Sequence, residues 1–436
     1  MLTLEIDNDN YIFHGRSMQI TKEKNKLLAS YNKMVFNYGI VLMTLPTEEN
    51  IRAFNQQIGN ARFVRNDYLS QRNNVYLTTK SILSVAEYKK DYLPKLKSEH
   101  QFLKLSDKFA LEAAIENVQK AFEHFYDNIK SGKKGKESGF PKFVSKYKPN
   151  GNAYATKFTN NNIELIEVNN LPYIKLPKVG LVRFVMPLGQ TIHSILPNNT
   201  RITSTSIHRS NGQYTVSLQL ERIIDKPTEL IEVNKTDIFA CDMGIRNFGI
   251  YGNYDFTKEV NNPRFIKIHE KRLRRLQQSL SRKKLRSKNW YKAKLKIAKE
   301  QQKIKNQRKD FHHKLSRTIV NNCKVFICED LNIKGMLKNR KLAKQITSVG
   351  WGQFLNYVKY KIEREGGLFI KVDRYFASSK LCHKCGYKKE DLELTDRRWI
   401  CPKCGTTHDR DENAKFNLLN KGINLLATDY DVKIIV

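Results

Sequence analysis

The rhythm of hydrophobic and polar positions changes twice along the chain. Between Thr47 and the SGKKGKESG stretch, apolar positions recur at helical spacing, beginning with Ile51, Phe54, Ile58, Ala61, Phe63 and Leu69. Thr47 follows Pro46 and precedes two glutamates, which marks it as a helix N-cap. The same spacing continues through KSILSVAEYKKDYLPKL and ALEAAIENVQKAFEHFYDNIK, interrupted near Pro94, and stops where glycines and lysines predict a flexible basic loop. Upstream, Met18 to Asn37 reads as a helix leading into a short apolar strand, YGIVLMTLP.

After Gly139 the runs shorten and alternate as NIELIEV, YIKLPKVGLVRFV, RITSTSIHRS and QYTVSLQLERI. Asn211-Gly212 separates the last two, a dipeptide suited to the two positive-φ positions of a tight hairpin. The strand before Thr47 has no sheet partner nearby in sequence. It is therefore expected to join this later β-rich module, which makes the helical stretch an insertion into a small barrel. From Asp237 the order is strand, strand, long basic helices over 264–320, strand, helix, strand, which predicts a mixed α/β domain around a central sheet.

Composition changes the picture through charge. Lysine and arginine number 78 against 43 aspartates and glutamates, a formal net charge of +35 in 436 residues. Self-repulsion of that size destabilises a compact chain unless a polyanion neutralises it, so a nucleic-acid partner is expected rather than a metabolic role. The 10% aromatic content offers faces on which unpaired bases can stack. The charge is densest in Lys271, Arg272, Arg274, Arg275, Arg282, Lys283, Lys284 and Arg286, followed by Lys288, Lys292, Lys294 and Lys296. Leu273, Leu276, Leu280, Ile297 and Ile304 form a packing stripe there, which leaves the opposite face for phosphate. Arg62, Arg65 and Asn66 are further candidates for nucleic-acid contact, and Lys133, Lys134 and Lys136 for its backbone. The start, MLTLEIDNDN, lacks the order of a signal peptide, and no apolar run approaches the roughly 18 residues needed to span a bilayer, so a soluble, intracellular protein is expected.

Two constellations carry candidate chemistry. Asp242 closes the apolar run Ile238 to Cys241 before a glycine turn, and Glu329 closes Val325 to Cys328 in the same way. Asp411 lies in HDRDENA ahead of a helix, with Asp409 as the competitor for its position. Three hard oxygen ligands from separate segments suit two Mg²⁺ or Mn²⁺ ions in phosphodiester hydrolysis, one activating water and the other stabilising the leaving oxygen. Cys382-His-Lys-Cys385 and Cys401-Pro-Lys-Cys404, each followed by glycine, have the spacing of a closed four-thiolate zinc site, with His383 and His408 as alternative ligands. The remaining three of the seven cysteines lie outside that pattern.

These residues together resemble the TnpB family, transposon-encoded RNA-guided DNA endonucleases related to the miniature type V CRISPR effectors. The resemblance is carried by ACDMGIRNFG, VFICEDLNIKGM, HDRDENA, KNQRKDFHHKLS, SVGWGQFLNYVKYK and YFASSKLCHKCG, and by IGNARFVRNDYL and GFPKF nearer the start. It implies the catalytic triad Asp242, Glu329 and Asp411, structural Zn²⁺ on Cys382, Cys385, Cys401 and Cys404, a guide RNA and target double-stranded DNA. It also implies an α+β multidomain architecture: an extension and first wedge strand (1–46), a helical recognition lobe (47–138) and a wedge β-barrel (139–234). A RuvC-like nuclease of RNase H fold (235–381 and 406–436) follows, interrupted by a zinc ribbon (382–405). Lys415 departs from the family, which commonly has alanine there. The competing expectations are a type V CRISPR effector, an RNA-guided DNA-binding regulator with weak or no cleavage, a zinc-ribbon binding protein without catalysis, and a DNA-joining transposase.

Overall fold

Thr47 does cap a long helix. Its side chain accepts from Asn50 N at 3.2 Å and Asn50 returns a bond from Thr47 N at 3.1 Å, starting α1 (Glu48–Thr79). The computed structural model describes residues 3–7, 10–14, 28–147, 151–186, 189–197, 200–228, 230–393 and 395–435. Its packing divides the chain into two units, Met1–Lys226 and Pro227–Val436.

In the first unit, β1 (Thr3–Asp7) and β2 (Asn10–His14) form a hairpin. The remaining strands are β3 (Lys33–Leu45), β4 (Ala153–Lys157), β5 (Glu164–Val168), β6 (Leu171–Leu176), β7 (Gly180–Val185), β8 (Thr200–Ser210) and β9 (Gln213–Asp225). They form one antiparallel sheet in the order β4-β8-β9-β3-β7-β6-β5. The early strand thus sits in mid-sheet, paired with β9 from Lys33↔Asp225 to Met43↔Thr215 and with β7 at its end. The helical stretch, which also contains α2 (Lys108–Lys130), is an insertion between β3 and β4. Asn211 and Gly212, at φ 54° and 79°, make the tight β8–β9 turn.

One expectation fails here. Where the pattern predicts a helix across 18–37, residues 33–37 are strand, because pairing with β9 outweighs local helical spacing; 18–27 lie outside the described residues.

The second unit is built on a five-stranded mixed sheet, β13-β12-β11-β14-β15. It begins with β10 (Glu232–Asn234), β11 (Ile238–Met243), β12 (Asn247–Gly252) and β13 (Thr257–Asn261). The basic helices α3 (Phe265–Ser281) and α4 (Lys288–Val320) lead to β14 (Val325–Glu329), α5 (Trp351–Arg364) and β15 (Leu368–Val372). A short hairpin, β16 (Arg398–Ile400) and β17 (Thr407–Asp409), precedes α6 (Arg410–Asp429) and β18 (Lys433–Ile435), which pairs with β10. β11 and β14 run parallel, and β12 is antiparallel to β11.

The continuous apolar runs of β11 and β14 are explained by burial on both faces. Phe239, Cys241, Phe326 and Cys328 pack under Phe354 and Val358 of α5, whereas Ile238, Ala240, Val325 and Ile327 pack under Leu418 and Leu419 of α6. α6 seats closely because Gly422 has no side chain: a Cβ there would stand 2.3 Å from Ile327 Cδ1. Gly422→Ala is therefore expected to lower stability by about 1–3 kcal/mol through overpacking. Alanine at an exposed helical glycine would raise it, so a chemical-denaturation midpoint reports the close contact by its sign.

Candidate active site and cysteine cluster

Strand alternation puts two carboxylates on one face. Asp242 follows Ile238 and Ala240 at even spacing, and Glu329 follows Val325 and Ile327, so both belong to the face under α6. The register Ala240↔Ile327, continued by two residues, sets Asp242 beside Glu329. Asp411 occupies the first turn of α6. All three line one cavity of about 910 Å³, together with Ser378, Arg397 and Arg410. Asp409 has a different job: it is the N-cap of α6, accepting from Asp411 N at 3.0 Å and Glu412 N at 3.2 Å.

The electrostatics follow from this crowding. Asp242, half-buried at the end of β11, has its carboxyl pushed well above the usual aspartate range, first by burial, then by Glu329 and Asp411, with Arg410 opposing. Glu329 Oε1 accepts a hydrogen bond from the Ser378 hydroxyl. Arg397 Nη1 lies 3.3 Å from both oxygens of Asp411. A divalent cation among the three carboxylates would relieve their mutual repulsion, and the oxygen donor set suits a hard ion. Lys415, the departure from the resembled pattern, is fully buried and donates to Asn253 O at 2.8 Å and Thr257 Oγ1 at 2.6 Å, tying α6 to the β12–β13 turn.

The four cysteines converge, with sulfurs all within 4.8 Å of one another. Cys382–Cys404 and Cys385–Cys401 stand at 3.6 Å, close to the roughly 3.8 Å edge of a tetrahedron with Zn–S bonds of about 2.3 Å. Gly386 and Gly405, at φ 73° and 68°, turn each knuckle so that their N–H groups reach Cys382 O and Cys401 O at 2.8 and 2.9 Å. Thr406, through its hydroxyl and N–H, lowers the Cys404 thiol to about 6. His408 Nε2 lies 3.1 Å from the Cys382 sulfur, whereas His383 Nδ1 faces Asn413 Oδ1 at 3.0 Å.

The basic candidates divide into two kinds. Lys271, Arg274, Arg275, Arg282, Lys283, Lys284 and Arg286 are exposed on α3 and the turn to α4. Arg272 is exposed too, but its Nε reaches buried Glu300 at 3.0 Å, the same carboxylate that meets His269 at 2.6 Å. In the other unit, Arg62 donates to Gly151 O at 2.8 Å, Arg65 to Lys142 O at 3.1 Å and Asn66 to Val144 O at 2.9 Å. These three hold the segment after Gly139 against α1. Sequence reasoning missed Ser378, Arg397 and Arg410, although Ser378 lies within YFASSKLCHKCG and Arg410 within HDRDENA; Arg397 lies in no such motif.

Residues 219–340 match the OrfB_IS605 family, described as a probable transposase, and residues 351–418 match the Cas12f1-like TNB domain. The chain is 29% identical over 388 residues to a Streptomyces pristinaespiralis protein named for RNA-guided DNA endonuclease activity, with 87% of each chain covered. Escherichia coli K12 InsQ, named for the same activity, is 26% identical over 391 residues, covering 85% of this chain and 88% of that one. TnpB-like protein L79 of Acanthamoeba polyphaga mimivirus is 28% identical over 133 residues, 29% of this chain and 25% of its own. Two solved structures share the mixed α+β fold. A Cas12f1–sgRNA–target DNA complex gives a TM-score of 0.57 at 13% identity, covering 90% of this chain and 99% of that one. The mini-RNA-guided endonuclease CRISPR-Cas_phi3 gives 0.54 at 10%, covering 94% and 97%.

The raised Asp242 carboxyl has a stability consequence. Between its unfolded value, about 4, and its higher folded value the native state binds more protons, so stability falls as pH rises through that window. Asp242→Asn is expected to raise the thermal midpoint in magnesium-free buffer at pH 7, and the gain should shrink as pH is lowered toward 4. An unchanged midpoint at both values would show that the carboxylates do not strain the fold.

Proposed function

We propose that this chain, which belongs to the TnpB family, is an RNA-guided DNA endonuclease that cuts DNA beside a short flanking motif. Asp242, Glu329 and Asp411 are its catalytic carboxylates. The observation that carries this reading is their convergence, from two adjacent strand ends and a helix start, on one cavity. They would hold two Mg²⁺ or Mn²⁺ ions, which when bound supply an activated water and neutralise charge at the scissile phosphate. Asp242 and Glu329 would hold the ions from adjacent ends of packed strands, and Asp411 from the first turn of α6. Arg397 and Arg410, on the same cavity, can donate charge-assisted hydrogen bonds to a phosphate.

The five-stranded sheet with its flanking α5 and α6 is read as the RuvC-like nuclease (235–381 and 406–436). The Cys382, Cys385, Cys401 and Cys404 cluster within 382–405 is read as a zinc ribbon whose closed shell makes the metal structural. The seven-stranded sheet is taken as the wedge module and 47–138 as the recognition lobe. Guide RNA pairs with one target strand, so the protein contacts mainly backbone; the exposed cations of α3 and the α3–α4 turn supply such a surface. No described helix is long and apolar enough to cross a membrane. The fold likeness to Cas12f1 favours, as a second reading, a miniature type V effector using a CRISPR RNA.

The test is co-purification with RNA, then incubation with a DNA library of randomised flanks and Mg²⁺. Cleavage is expected only with guide RNA, beside a fixed flank, and Asp242→Ala should lose at least about 10³-fold in rate, several kcal/mol of barrier. Cutting without RNA would overturn guided targeting, and full activity in Asp242→Ala would overturn the site.

A further inference from the structure

Glu329 is the one carboxylate of the three whose side chain is gripped by a neutral hydroxyl. Ser378, in the loop between β15 and the first cysteine pair, is 5% exposed and donates a hydrogen bond from its hydroxyl to Glu329 Oε1. The loop is held in turn by α6. Asn417 Nδ2 donates to Ser378 O at 2.7 Å and to Leu381 O at 2.6 Å, and Asn413, one turn earlier, donates to Leu381 O at 2.6 Å. Both amides are buried, at 5% and 1% exposed. A hydroxyl has a single proton to give, whereas a carboxylate has about four acceptor positions. Ser378 therefore occupies one of them, fixes the torsions of a flexible glutamate, and leaves the others to the cavity.

We propose that Ser378 is the positioning residue for Glu329, with Asn417 holding Ser378 in place. Helix α6 then sets two of the three carboxylates: Asp411 through its own first turn, and Glu329 through Asn417 and Ser378. This rests on the reading of the cavity as a divalent-metal site. Partners that orient a metal-ligating carboxylate typically contribute 10–100-fold to metal affinity or activity.

The experiment is calorimetric titration of Mn²⁺ into the full-length, zinc-loaded protein without nucleic acid, comparing wild type, Asp242→Ala, Ser378→Ala and Ser378→Thr, each with its melting temperature. Binding lost in Asp242→Ala is the cavity's own. Of that binding, Ser378→Ala is expected to lose about 10-fold in affinity with its melting temperature unchanged, and Ser378→Thr, which keeps the hydroxyl, to recover most of it. Wild-type affinity in Ser378→Ala, or equal weakening in both Ser378 variants, would overturn the proposal while leaving the cavity reading intact. Mn²⁺ binding unaffected by Asp242→Ala would remove the cavity reading and this proposal with it.

Discussion

Repulsion among three carboxylates gathered in one protein-lined cavity is the constraint on which the second unit depends. Asp242 feels it most, since burial and its two neighbours all act against its charge. Holding such groups together takes a scaffold that cannot relax away from them. The strands bearing Asp242 and Glu329 are buried on both faces, so neither end can swing without breaking a packed layer. Helix α6 is fixed just as firmly, by Gly422 against Ile327, by its Asp409 cap and by the buried ammonium of Lys415. Rigidity bought here with packing and capping is what turns a destabilising cluster into a usable one.

Some of this was legible in the sequence. A continuous apolar run ending in a carboxylate is a local signal, and Asp242 and Glu329 carry it; two Cys-x-x-Cys pairs followed by glycine are another. The insertion of helices into a sheet was legible as well, because a lone apolar strand must find partners somewhere. What escaped has no local signature. Residues 33–37 became strand only because β9 lies beside them. Arg62, Arg65 and Asn66 offered donors suited to nucleic acid, yet the structure engages them with carbonyls some 80 residues away, which no spacing announces. Ser378 and Asn417 look like ordinary polar residues until the fold stacks their loop and helix over Glu329. The barrel and the domain limits expected from the resemblance remain part of the proposed function.

The basic helices α3 and α4 are held together by one internal anion. Glu300, buried on α4, receives both Arg272 and His269, which docks α3 on α4, while Lys271, Arg274 and Arg275 stay exposed. A helix pair organised in this way presents its charge at the surface while still having a reason to stay folded.

The mid-sheet position of β3 has a consequence for how the chain must be made. Its main partner, β9, lies about 180 residues later, and at a synthesis rate of roughly 5–20 residues per second that interval lasts on the order of ten to forty seconds. Throughout it the β9-facing edge of an apolar strand waits open, although β7 can pair with the end of the other edge earlier, while the inserted helices, whose contacts are more local, emerge and can fold first. The order of assembly is therefore the reverse of what the map of the chain suggests: the first strand of the sheet is completed among the last, and the emerging protein carries a sticky edge for as long as its ribosome takes to reach Gln213.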